Sequence, residues 1–104
     1  MSITIETDNG ICRAIVSGEM TIYHAAEMKE ALSPCVANCR EVEINLSEVT
    51  EMDTAGFQLL LLAKREASSA GKSLRLVAHS AATLEVLDMF GMASYFGDPV
   101  VISG

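Results

Sequence analysis

The segment Leu46-Ser47-Glu48-Val49-Thr50-Glu51-Met52-Asp53-Thr54-Ala55-Gly56 reads as a strand end, a short loop and the opening of a helix. Unpaired backbone N–H groups and the positive end of the helix dipole meet at such a start, so Asp53 and Thr54 stand where an oxygen ligand or a negative charge is favoured. One reading is structural: the pair caps the helix, an effect on the order of 1 kcal/mol. The other is chemical. The Thr54 hydroxyl can accept a phosphoryl group, which adds roughly 1.5 to 2 negative charges beside Asp53 while the helix N-terminus tolerates them. The fold would survive, and a partner docked on that loop would be repelled.

Other reactive residues offer less. Cys35-x-x-x-Cys39 with His24 and His79 does not make the paired ligand knuckles of a structural zinc site, so no metal is expected. Small apolar thiols at a helix end fit that spacing better. A hydrolase needs a nucleophile, an activating base and a stabilised oxyanion. No motif places His24 or His79 against Thr54. His79 follows a strand on an edge that Thr54 can share, and reads as an exposed loop histidine. No Gly-rich phosphate loop is present, so neither ATP nor any other cofactor is expected. Met89 and Met92 flank Phe90-Gly91 and could form a soft docking surface; closure of the core by Phe90 and one Met is preferred.

The elements around these residues follow from hydrophobic periodicity. Ile3 and Ile5 alternate with polar neighbours as in a half-buried strand, and Asn9-Gly10 predicts a hairpin turn. The return strand runs from Ile11 to about Ser17 and stops at Gly18. Ile22, Ala25, Ala26, Lys29 and Leu32 fall at helical spacing, with Thr21 as N-cap and Pro34 as stop. Val42, Ile44 and Leu46 alternate in a strand over 41–47. A helix over 55–70 ends at Gly71, a strand covers 73–78, and Ser80 caps a third helix bearing Leu84, Leu87 and Phe90. Val100 to Ile102 reads as a short last strand. The fold class is α/β: one domain over 1–104, with a mixed four- to five-stranded sheet that opens with a β-hairpin. Helices separate the later strands, which implies parallel pairing. Those strands alternate polar and apolar residues, so the helices lie mainly on one face and the other face is wet. Glu43 and Arg75 fall together on that open face.

Composition narrows the function. Among 104 residues, 14 Asp and Glu outnumber 7 Lys and Arg, for a net charge of −7, which argues against nucleic acid and anionic membranes. The apolar run over 57–63 is far shorter than a membrane span, so no direct membrane insertion is expected. Three cysteines form no even disulfide set, and the first ten residues lack a secretory pattern. These features imply a cytoplasmic chain whose partner is another protein, with its oligomeric state open.

Ile44-Asn45-Leu46-Ser47 followed by Asp53-Thr54-Ala55-Gly56 resembles the signature of the STAS family, the sulfate-transporter and anti-sigma-factor-antagonist domains. Gly18-Glu19-Met20-Thr21 resembles the family's early turn. Ala63-Lys64-Arg65 through Gly71-Lys72 resembles the later helix and its exit, and Leu84 to Met92 the last helix, so the likeness covers nearly the whole chain. The resemblance implies a non-enzymatic binding module with Thr54 as a reversible phosphorylation site. Asp53, Thr54, Ala55, Gly56 and Thr21 would be the partner-binding residues, with Gly56 letting the helix start approach the partner. Many phosphorylated members carry Asp where this chain has Thr21. The partner implied is a serine-protein kinase (anti-sigma factor) or a chemotaxis signalling protein. The alternative is a constitutive adaptor subunit bound to the ATPase of an ABC-type phospholipid transporter.

Overall fold

A computed structural model describes residues 1–91 of the chain. Its elements run β1 (Ser2–Asp8), β2 (Ile11–Met20), α1 (Ala25–Asn38), β3 (Glu41–Met52), α2 (Thr54–Ser69), β4 (Ser73–Val77) and α3 (Ala81–Met89). The sheet order is β1-β2-β3-β4, with β1 antiparallel to β2 and the other two pairings parallel. The expected strand at 100–102 lies outside the described residues. Asn9 and Gly10 both adopt positive φ (51° and 77°), the backbone that a tight hairpin matched to strand twist requires.

One sheet face is apolar. Cys12, Ala14 and Val16 of β2, Val42, Ile44 and Leu46 of β3, and Leu74 and Leu76 of β4 are all buried. Met28, Leu32 and Val36 of α1, Phe57, Leu60 and Ala67 of α2, and Leu87 of α3 join them in one core. The opposite face carries an Arg13–Glu43–Arg75 row in cross-strand register. Arg13 Nε donates to Glu43 Oε2 at 3.3 Å, and Arg75 Nη2 donates to Glu43 Oε1. The expected Glu43–Arg75 pair is therefore one half of a three-residue row on the wet face, where each pair contributes under about 1 kcal/mol.

Four boundaries differ from the sequence reading. β2 continues past Gly18 (φ +94°) to Met20: Gly18 stays paired with Val49, and the register shift that follows places the extra residue on β3. α1 does not stop at Pro34, which lies inside it. Proline removes one helical N–H, but burial of Cys35 and Val36 beyond it keeps the helix on the sheet. Lys72 Nζ further donates to the Val36 and Ala37 carbonyls at 2.6 Å each, satisfying orphan acceptors at the helix exit. α1 also begins later than expected, at Ala25. Its N-cap is His24, not Thr21, and Ile22 sits in the preceding turn, 66% exposed.

The fourth difference bears on the site. The loop expected after Ser47 is strand, since β3 runs unbroken to Met52. The alternation breaks because the inward residues are Leu46 and then Val49, three positions on, across a register shift relative to β2. Asn45 Oδ1 accepts from the Ser47 backbone N–H (2.9 Å) and from the Ser47 hydroxyl (2.7 Å), which fixes this irregularity locally. At the far end, Phe90 stacks on Phe57 with centroids 4.7 Å apart, while Met89 is 71% exposed and does not close the core. Met92 lies outside the described residues.

Candidate functional site

β2 and β3 run side by side and end together, with Met20 opposite Met52. One residue later, Asp53 caps the start of α2. Its backbone is extended (φ −106°, ψ −177°), the geometry that turns a cap side chain toward the first helical turn. Oδ1 accepts from the Gly56 N–H at 2.9 Å. Oδ2 reaches across to the Ile22 N–H, also at 2.9 Å, in the turn that leads to α1. The Asp53 N–H in turn donates to the Met20 carbonyl at 3.2 Å. One carboxylate thus holds two helix starts against one end of the sheet. The Gly56 N–H, with a further contribution from that of Ile22, keeps this carboxyl below its ordinary range despite the cost of burial. With both oxygens accepting backbone N–H bonds, the charged form of Asp53 is the favoured one, and the carboxylate acts as a clamp.

Thr54 is the first residue of α2 and is exposed. Its hydroxyl lies at the positive end of the helix dipole, and an added phosphate would meet solvent instead of the core. Ala55 is half-buried and Gly56 is buried. Gly56 lies close against the end of β2. A Cβ there would stand 2.2 Å from the Met20 carbonyl oxygen, so glycine is required for α2 to press on the end of β2. The Thr21 Oγ1 is buried without a hydrogen-bond partner, and the Thr21 carbonyl accepts the His24 N–H at 2.9 Å. His79 is 8% exposed, not a surface loop residue, and burial pushes its imidazole pKa down.

Two contributors escape the sequence reading. Ile22 supplies the N–H that receives Asp53 Oδ2, and Tyr23 beside it is 87% exposed. Ile22 fits the periodicity of α1, which hides its place in the turn. The available signal was the pair itself: two large apolar residues between a strand end and the first helical residue with a buried side chain, Met28. The site therefore presents a hydroxyl at a helix N-terminus next to an exposed apolar turn, both held by one carboxylate. Such a surface can bind a protein and can be altered by one added charge.

A family model described as "Mlab, STAS domain" matches residues 8–101. No curated protein sequence matches the chain. Among solved structures, an anti-sigma factor antagonist from Mycobacterium paratuberculosis is similar with a TM-score of 0.86 at 22% identity, over 97% of this chain and 86% of that one. The Bacillus cell-fate determinant SpoIIAA in its phosphorylated form gives a TM-score of 0.75 at 17% identity, over 95% and 92%. A sulfate transporter family protein from Wolinella succinogenes gives 0.73 at 18%, over 88% and 75%. These likenesses concern the fold. The family match spans most of the chain and includes the strand, clamp and helix start just described, and on that basis the chain belongs to the STAS domain family.

Proposed function

We propose that the chain is a non-enzymatic regulatory module that binds one protein partner through the β2–α1 turn and the start of α2. The observation that carries this reading is the exposed Thr54 at the head of α2, beside the exposed Ile22 and Tyr23, with Asp53 bonding the two segments together. Tyr23 and Ile22 supply apolar area for docking, and Thr54 supplies the control point. A partner serine-protein kinase, or a kinase of a chemotaxis pathway, would transfer the γ-phosphoryl group of its own ATP to the Thr54 oxygen. The hydroxyl proton leaves and ADP remains on the partner. The added charge beside Asp53 then repels the docked surface, and a phosphatase restores binding. Support for this cycle comes from SpoIIAA, a relative by fold whose phosphorylated form is known.

Thr21 favours a second reading. Its hydroxyl points inward and brings no carboxylate to the acceptor, whereas many phosphorylated family members carry Asp there. A constitutive adaptor bound to the ATPase of an ABC-type phospholipid transporter would use the same surface without phosphate. Affinity capture from the native lysate separates the two. We expect the wild-type chain to retain a kinase or signalling protein that Thr54→Glu loses and Thr54→Ala keeps. An ABC ATPase as the main wild-type partner, with no phosphate on Thr54 in cells, would establish the adaptor. Equal capture of a kinase by Thr54→Ala and Thr54→Glu would sink the switch.

A further inference from the structure

Away from Asp53, three thiols meet at the hairpin end of the sheet. Cys12 near the start of β2 is fully buried, and Cys35 and Cys39 at the exit of α1 are 6% and 4% exposed. All three belong to one buried core cluster, and the Cys12 thiol interacts with both of the others. Thr7 Oγ1 on the edge strand β1 stands 3.9 Å from the Cys12 sulfur. The backbone holds these segments together, since the Gly10 carbonyl accepts from the Arg40 N–H at 2.9 Å and the Glu41 N–H at 3.3 Å. All three cysteines are free. Among the described residues no group of three or more His, Cys, Asp or Glu is placed to hold a metal ion. Two free thiols brought together can pair.

The two candidate pairs differ. Cys35 is inside α1, with its sulfur donating to the Ala31 carbonyl at 3.7 Å. Cys39 is the first extended residue after α1 (φ −106°, ψ 147°), flanked by exposed Asn38 and Arg40. A disulfide needs its Cβ atoms brought to about 3.8 Å, and an extended segment shifts to meet that demand more easily than a helix interior. We propose that Cys12 and Cys39 form an oxidation site for hydroperoxides, closing reversibly to an intramolecular disulfide.

The chemistry balances in two steps. The Cys39 thiolate attacks one peroxide oxygen; the O–O bond breaks, and the departing hydroxide takes the proton released by the thiol, leaving a sulfenic acid and water. The Cys12 thiolate then attacks the Cys39 sulfur. The S–S bond forms, the S–O bond breaks, and the second hydroxide leaves as water with the Cys12 proton. Two sulfurs lose two electrons in total, and the peroxide gains them. Burial pushes both thiols up, so the reaction is slow and accelerates with pH, while the positive charge of Lys72 acts the other way on Cys39 and favours it as the attacking group. The disulfide is neutral, so the burial that penalises thiolates does not penalise the product. The closed loop contains the rest of β2, the Ile22–Tyr23 turn and all of α1, which are half the frame of Asp53.

The test is hydrogen peroxide treatment of the purified chain, followed by alkylation in denaturant, thiol counting by mass spectrometry and peptide mapping without reductant. We expect free thiols to fall from three to one, with a Cys12–Cys39 linked peptide, faster reaction at higher pH and full recovery with dithiothreitol. Cys35→Ser should behave alike, and neither Cys12→Ser nor Cys39→Ser should give that link. The decisive link is sought in the wild-type chain, so poor folding of a serine variant does not blur the outcome. A Cys12–Cys35 bond, a cross-linked dimer, sulfinic acid on unpaired cysteines, or inertness at a peroxide concentration that oxidises the urea-unfolded chain would each overturn the proposal.

Discussion

The two helix starts at the Asp53 end of the sheet are built by opposite means. α2 has its own cap: an extended Asp53 whose side chain accepts the Gly56 N–H. α1 has none. His24 precedes it with ψ near 2° and makes no side-chain cap bond, and the nearby Thr21 hydroxyl is unbonded. The start of α1 is held from outside, through the Ile22 N–H on Asp53 Oδ2. One start is locally encoded and the other borrows its order from its neighbour. Loss of the Asp53 side chain therefore reaches the β2–α1 turn, whereas a side-chain change at residues 21–24 leaves the backbone N–H that Asp53 holds in place.

The largest effect is expected at Gly56. Its Cβ has no room against the Met20 carbonyl, so Gly56→Ala should destabilise the fold by about 3 kcal/mol in urea unfolding, well above the roughly 1 kcal/mol that alanine gains in helix propensity. Asp53→Ala comes next, at about 2 kcal/mol, because it removes a cap and leaves two backbone donors unpaired. Amide exchange should sharpen the comparison: Asp53→Ala should speed exchange at both Gly56 and Ile22. Unchanged exchange at Ile22 would break the idea that α1 depends on its neighbour.

Acid unfolding gives a related contrast. The folded pKa values of His79 and Asp53 are both depressed, so each group favours the less protonated form in the native state. As pH falls below about 6.5, the unfolded chain takes up the histidine proton first and stability declines. The Asp53 contribution is present above about 3.8 and is lost as pH falls from there through the folded value. Asp53→Asn should remove the second stage of this decline and keep the first, as followed by unfolding midpoints across pH. The smallest effect belongs to the borrowed start. Thr21→Val should leave stability unchanged or raise it by up to about 1 kcal/mol, since a buried hydroxyl without a partner is removed. A loss as large as that of Asp53→Ala would erase the asymmetry.

Much of this arrangement is legible in the chain because it is written in short-range chemistry. Asn9-Gly10 specifies a left-handed turn, Val42, Ile44 and Leu46 alternate, Asp53 and Ser80 cap the helices they precede, and Gly71 follows α2 with φ +71°. What is hidden depends on tertiary contacts. Pro34 is a helix stop by local rules, yet Cys35 and Val36 are buried beyond it. Ile22 matches the period of α1 and still lies outside it, because its N–H is claimed by a residue 31 positions away. Gly56 reads as freedom to approach a partner, and the close approach is to Met20 of the same chain. Thr54 and Asp53 are visible as a pair; that Asp53 serves both helices is not, since no local pattern records a bond across two elements.

The irregularity at Ser47 and Glu48 sets the phase of Val49. In a strict two-residue repeat, a strand with Leu46 inward would turn Val49 outward, yet both are buried. Asn45 and Ser47 thus act as a phase corrector, resetting the pleat just before β3 delivers Asp53. Straightening the strand here at unchanged length would exchange inside for outside at Val49 and displace the strand end that leads to Asp53. The Asn and Ser of this segment accordingly govern aim: they touch neither Thr54 nor a partner, but they determine the direction in which the clamp points.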